Sequence, residues 1–125
     1  MNHNHEQTWE TYVDSWKTAN PKEKRALFEK CLDRACEYND PLVSTKGWDG
    51  LEAYMRDFHQ QVPGAYFVTT YFLTQNNKSI ARWEMKNAEG IVLGDGISYG
   101  EYNSNGHLVS IIGFFELPNQ RRETA

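Results

Sequence analysis

The sequence predicts an α+β fold: a cone-shaped barrel of three helices packed on a strongly curved, mostly antiparallel sheet. Three observations carry this. In the first half, apolar residues recur at helical spacing, i, i+3, i+4 and i+7. From Ala65 onward the period changes to two, the period of strands. The second half is also broken by Gly94, Gly96 and Gly100, and glycines inside a strand mark bulges, bends or close approach of another group. A long sheet bent in this way can curl. Helices covering its concave side leave a cavity between the layers, a common kind of small-molecule site.

The first helix is read over Thr8 to Thr18, where Trp9, Tyr12, Val13 and Trp16 form one apolar face. Asn20-Pro21 opens the second, with Asn20 as N-cap, Pro21 at the first helical position and Glu23 three residues on from the cap. Its apolar face is Leu27, Phe28, Cys31 and Leu32. Ala35 to Tyr38 pass as a short extended run. Asp49 with Glu52 repeats the capping pattern and opens a third helix along Leu51, Tyr54, Met55, Phe58 and Val62, which Pro63-Gly64 ends. His59 is expected on that helix's solvent side.

Tyr66 to Thr74 is β-branched and aromatic, a strand by composition. Asn76-Asn77 turns the chain. Over Ile80 to Lys86, Ala81, Trp83 and Met85 face one way and Arg82, Glu84 and Lys86 the other. Ala88-Glu89-Gly90 turns again, and Ile91 to Tyr102 is the next strand. Asn103 to Gly106 is a hairpin turn with the Asn-Gly signal, and His107 to Leu117 is the last strand. The order is α-α-β-α-β-β-β-β. It forms one domain over residues 1–125, with frayed ends at about 1–6 and 118–125. His3 and His5 fall in that flexible start.

Net charge is −4, with no basic block longer than Lys22 to Arg25, which argues against nucleic acid as a partner. Two cysteines, Cys31 and Cys36, fit no metal or redox spacing and read as buried thiols. No histidine has a partner at metal spacing, so no metal and no cofactor are expected. There is no apolar run near 18 residues and no signal-peptide core, so no membrane partner is expected and the chain is read as cytoplasmic. Aromatics make up 14% of the chain, which predicts an aromatic-rich core or pocket.

Within this frame Tyr38-Asn39-Asp40-Pro41 stands out. Pro41 disfavours helix at Asp40 and sets an extended or turn geometry there. A carboxylate at the mouth of an aromatic pocket loses hydration. Desolvation raises a carboxyl pKa above the ordinary value of about 3.9 and makes a better base near neutrality. On this view Asp40→Asn leaves stability unchanged or slightly higher. The alternative is an ordinary turn, because Asn and Asp side chains bond their own backbone.

From roughly Thr8 to Phe115 the chain resembles the SnoaL-like polyketide cyclases of the nuclear transport factor 2-like superfamily, which also holds ketosteroid isomerases. The residues that carry the resemblance are Tyr12 and Trp16, Arg25 with Leu27-Phe28, Tyr38 with Asp40-Pro41, Gly47 with Leu51, and Pro63-Gly64 with Phe67. Arg82-Trp83, Gly90, Asn105 to Leu108 and Gly113-Phe114-Phe115 complete the set. The resemblance implies a cone with an apolar pocket, usually dimeric through its sheet. It places the proton-shuttling base on Asp40 and an oxyanion donor on Tyr12. A second acid of the ketosteroid isomerases, counted eight residues back from Gly106, falls on Ser98. A serine can still donate a hydrogen bond, but it is not a carboxylic acid. Asp95 would face the other side of a regular strand.

The expected pocket walls are Trp16, Tyr54, Met55, Phe58, Trp83, Met85, Ile111, Gly113 and Phe115, holding a small hydrophobic molecule. A homodimer is expected through the convex sheet face, with Phe67, Tyr71 and Phe114 on it. Three readings follow: an isomerase or cyclase in which Asp40 moves a proton beside a carbonyl, a binding domain without turnover, and a dimeric scaffold whose cone is filled by large side chains.

Overall fold

The structure, a computed structural model, describes residues 4–117. The expected frayed end at 118–125 lies outside the described residues. At the other end the expectation is corrected. Helix α1 (His5–Lys17) starts at His5, because the Asn4 side chain caps it, accepting from the Gln7 amide at 3.0 Å. The His5 ring stacks on Tyr102, centroids 4.0 Å apart, which ties the start of α1 to the sheet.

Helix α2 (Pro21–Cys31) follows its sequence signals: Asn20 accepts from the amides of Lys22 and Glu23, and Pro21 opens the helix. Helix α3 (Trp48–Gln61) starts before the expected Asp49 cap. Gly47 is the N-cap at φ 84, a left-handed angle that glycine takes without steric cost, and no side chain caps the helix. Asp49 and Glu52 are bound instead by Arg25 of α2, so the charges read as a capping pattern join two helices.

The single extended run expected before Asp40 is a hairpin. Strand β1 (Leu32–Asp40) turns through Pro41 into β2 (Val43–Lys46). Leu32, read as part of the α2 face, is the first residue of β1, and Lys46 belongs to β2. The other strands form the expected meander: β3 (Tyr66–Gln75), β4 (Lys78–Lys86), β5 (Val92–Tyr102) and β6 (Leu108–Phe114). The sheet order is β2-β1-β6-β5-β4-β3. Its neighbours are antiparallel except β1 and β6, so the six strands make a mixed, curved, open sheet with three helices on it. The α+β cone expected from the sequence is the observed architecture.

One bulge changes which residues line the cone. In β3, Thr69 pairs with Trp83 but Tyr71 pairs with Arg82, leaving Thr70 as the extra residue. Simple alternation would put Phe67 and Tyr71 on the same face. The bulge separates them. Phe67 packs inward against Trp16 and Trp83, while Tyr71 stays 50% exposed on the convex face.

The core gathers where the helices meet the concave face. Trp9, Tyr12, Val13 and Trp16 of α1 are all buried there, as the helical spacing predicted. Between the helices, Lys24 buries its side chain and donates from Nζ to the Ser15 carbonyl at 2.7 Å, beside Met55. Burial lowers its pKa to about 8, against the opposing pull of Glu52. His59 does not lie on the solvent side: its Nε2 is buried, and burial, then the charge of Lys24, lowers its pKa. Burial likewise pushes the Cys36 thiol up to about 12, and raises that of Cys31. Among the described residues no helix is long and apolar enough to cross a membrane.

Candidate functional site

Strand alternation puts Tyr38 and Asp40, two residues apart, on one face of β1. The carboxylate of Asp40 is not bare. Its Oδ1 accepts from the amides of Leu42 at 2.8 Å and Val43 at 3.2 Å, closing the turn into β2. Its Oδ2 accepts from Tyr38 Oη at 2.6 Å and from Tyr54 Oη of α3 at 2.8 Å. Four donors thus occupy the roughly four lone-pair positions of the carboxylate. The turn offered as the alternative from the sequence is the observed geometry, and it is joined to a polar cluster with Tyr38 and Tyr54.

Burial first, then nearby Tyr12 and Asp40, raises the Tyr38 phenol; burial and the bond to Asp40 raise Tyr54. Tyr12 is raised by burial as well. All three therefore remain protonated donors at neutral pH.

Two indoles prepare two further hydroxyls. Trp16 Nε1 donates to Tyr12 Oη at 2.9 Å, and Trp83 Nε1 donates to Ser98 Oγ at 3.0 Å. An indole N–H can only donate, so each hydroxyl oxygen accepts and keeps its own proton for another acceptor. Ser98 faces inward opposite Ala81, whereas Asp95 pairs with Glu84 on the convex side, as strand parity predicted.

At Gly113 the Tyr38 and Ser98 hydroxyls converge beside the Cβ of Asp40. A Cβ at this position would lie 3.5 Å from Asp40 Cβ, 3.7 Å from Tyr38 Oη and 3.8 Å from Ser98 Oγ. Glycine leaves that point free. It belongs to an inner chamber of about 60 Å³, room for a few waters or one small polar group, whose lining includes Tyr12, Tyr38, Ser98 and Gly113.

Trp16, Trp83 and Phe115 line this chamber and also a wide cleft outside it. The cleft encloses about 1370 Å³, with Tyr54, Phe58 and Met85 among its walls and Pro41 and Leu42 at its rim. It runs on over the end of the sheet to Ile97 and Phe114 of the convex face, so much of that volume is open groove. Edge-on ring contacts from Trp16 to Phe67, Phe67 to Trp83 and Trp83 to Phe115, with centroids 5.2–6.1 Å apart, form an aromatic partition between the two spaces.

Of the residues expected from the sequence, the structure brings together Asp40, Tyr12, Ser98 and Gly113 at the apex, and Trp16, Tyr54, Phe58, Trp83, Met85 and Phe115 along the chamber and cleft. Asp40 itself lines neither space; Tyr38 and Tyr54 stand in front of it. Met55 and Ile111 are corrected to core positions. Met55 is sealed between helices beside Ser15 and Lys24, and Ile111 is packed opposite Gly100, so neither reaches the pocket. Tyr38 was missed as a site residue, although its place two residues before Asp40 was the available signal.

No protein-family model and no curated protein matches the sequence. Solved structures do. A candidate isomerase of the SnoaL-like family from Agrobacterium tumefaciens matches with a TM-score of 0.83 at 23% identity, over 90% of this chain and 97% of that one. A candidate SnoaL-like polyketide cyclase from a Jannaschia species matches at 0.74 and 9% identity, over 93% and 91% of the two chains. A nuclear transport factor 2-like protein of unknown function from an Exiguobacterium species matches at 0.71 and 15%, over 87% and 98%. The chain has the fold of SnoaL-like and nuclear transport factor 2-like proteins.

Proposed function

We propose that this protein binds a small, largely apolar carbonyl compound and moves a proton at the carbon beside the carbonyl, the reaction of an isomerase or cyclase. The convergence of the Tyr38 and Ser98 hydroxyls on the point that Gly113 leaves free, with the Asp40 carboxylate bound behind Tyr38, carries this reading. The substrate oxygen sits there. Tyr12 and Ser98 donate their hydroxyl protons to it as negative charge develops. The C–H proton passes to a tyrosine oxygen, Tyr38 or Tyr54, as that tyrosine passes its own proton to Asp40 Oδ2. The electron pair left behind becomes the enolate, and return of the proton to a different carbon completes an isomerisation. The candidate isomerase and cyclase among the structural neighbours are consistent with this class of chemistry.

A second reading, binding without turnover, draws on the four donors that hold the Asp40 carboxylate. Proton NMR separates the two by following exchange of cyclohexenone in heavy water. Exchange above the buffer rate in the wild type, lost in Asp40→Asn while binding persists, supports the enzyme. Binding with no exchange supports the second reading.

The same proposal extends to assembly. Leu73, Ile80, Tyr99 and Ile112 lie in register across four strands of the convex face, beside the row Tyr71, Arg82, Ile97 and Phe114. Leu73, Ile80, Tyr71, Ile97 and Phe114 are all exposed, with Phe114 at 56%. A second copy of the chain covers this patch in a two-fold dimer.

A further inference from the structure

From Gly94 to Gly100 the concave face of β5 carries almost no side chains: the inward positions there are Gly94, Gly96, Ser98 and Gly100, paired with Met85, Trp83, Ala81 and Ser79 of β4, before the buried Tyr102. This is a track of bare backbone, and at Gly96 it is covered by an aromatic ring. A Cβ on Gly96 would stand 2.3 Å from Cζ2 and 2.7 Å from Cη2 of the Trp83 indole, and 2.6 Å from the Phe114 carbonyl oxygen. The ring therefore lies against the strand in space that only glycine leaves. Its Nε1 reaches one inward position further and is latched to Ser98 Oγ.

Gly94 is the matching seat and it is vacant: no heavy atom lies within 4 Å of where its Cβ would be. The two seats are about 7 Å apart along the strand. The latch is a single neutral hydrogen bond, most of whose strength is offset by the bonds it replaces with water.

We propose that Trp83 is a movable partition that selects planar ligands. Its indole lies on Gly96 and shifts toward Gly94 when a flat ring takes its place. The incoming ring then lies on Gly96, and its oxygen accepts from the Ser98 hydroxyl that the indole has released. This rests on the ligand site proposed above and narrows its substrate class to planar, conjugated or aromatic ketones.

Titration with α-tetralone, a flat bicyclic ketone, tests this in the wild type, Trp83→Ala and Gly94→Leu. Removing the partition tightens binding by about tenfold or more, and filling the vacant seat weakens it by about tenfold or more. Gly94→Leu meets open space on ordinary strand backbone, so it keeps the fold, and Trp83→Phe, which keeps a ring but loses the latch, gives an intermediate affinity. Equal affinity in wild type, Trp83→Ala and Gly94→Leu, or no binding by a folded Trp83→Ala, overturns the inference. Asp40→Asn carried through the same titration keeps the two ideas apart. Opposite shifts in the Trp83 and Gly94 variants support the partition even where cyclohexenone shows no exchange, a result that removes only the chemistry assigned to Asp40.

Discussion

Tyr54 on α3 donates its phenolic hydrogen to Oδ2 of Asp40 at 2.8 Å, joining the helical layer to the end of β1 through one hydrogen bond. Tyr38 shares the same oxygen from β1 itself, at 2.6 Å. The carboxylate is therefore a structural joint as well as the proposed acid–base group, and this reverses the stability expected from the sequence. Asn in place of Asp40 keeps one oxygen for the two turn amides but sets an NH₂ against two phenol donors. Asp40→Asn is expected to destabilise the fold by about 1–3 kcal/mol, and Tyr54→Phe by about 1 kcal/mol. Denaturant unfolding of both single variants and the double variant gives the check: the losses must be less than additive, because the two share one bond.

The helical layer has its own pH signature at Lys24. Its pKa is lowered from 10.5 to about 8, so between those values the unfolded chain holds a proton that the native chain has released. Where the unfolded state binds more protons, stability rises with pH. Below pH 8 the buried ammonium is charged in both states and its cost is constant. Relative to Lys24→Met, the wild type is expected to gain up to about 3 kcal/mol as pH rises from 8 to 10.5. Paired urea titrations at pH 7 and pH 10 measure the difference, and tyrosine and cysteine ionisation cancels between the two proteins. A flat difference would mean that Lys24 is better solvated than its burial implies, and one that falls with pH would mean that Glu52 outweighs burial.

The proposed dimer rests on exposed apolar side chains in register across four strands. The wild type is expected to sediment as a dimer at tens of micromolar, and Phe114→Glu as a monomer with unchanged circular dichroism. A wild-type monomer at that concentration would remove the two-fold partner.

Much of this fold was legible in the sequence because its signals were local. The α1 stripe, the Asn20-Pro21 cap and the change of period at Ala65 each depend on neighbours in the chain. What stayed hidden depended on partners far away. Asp49 and Glu52 have the spacing of a cap, but Arg25, more than twenty residues earlier, takes both. The bulge at Thr70 leaves no mark in composition, yet it decides that Phe67 lines the cone and Tyr71 does not. Strand β2 is too short, at four residues with alternating half-buried and exposed positions, to show a pattern. At the site, Asp40 stood out beside Pro41, and Tyr12 and Ser98 were reached through the family resemblance. The indole donors and the bare glycine track became visible only in three dimensions.

Gly113→Ala tests the central claim most directly. The added methyl meets Asp40 Cβ, Tyr38 Oη and Ser98 Oγ at 3.5–3.8 Å, ordinary contact distances, so the fold accepts it while the point of convergence is filled. Stability is expected to stay within about 0.5 kcal/mol of the wild type. Proton exchange of cyclohexenone in heavy water, expected above the buffer rate in the wild type, is expected to fall by about tenfold or more in Gly113→Ala, equivalent to about 1.4 kcal/mol of lost transition-state stabilisation. Equal exchange rates in two equally stable proteins, or no wild-type exchange above buffer, would contradict the account.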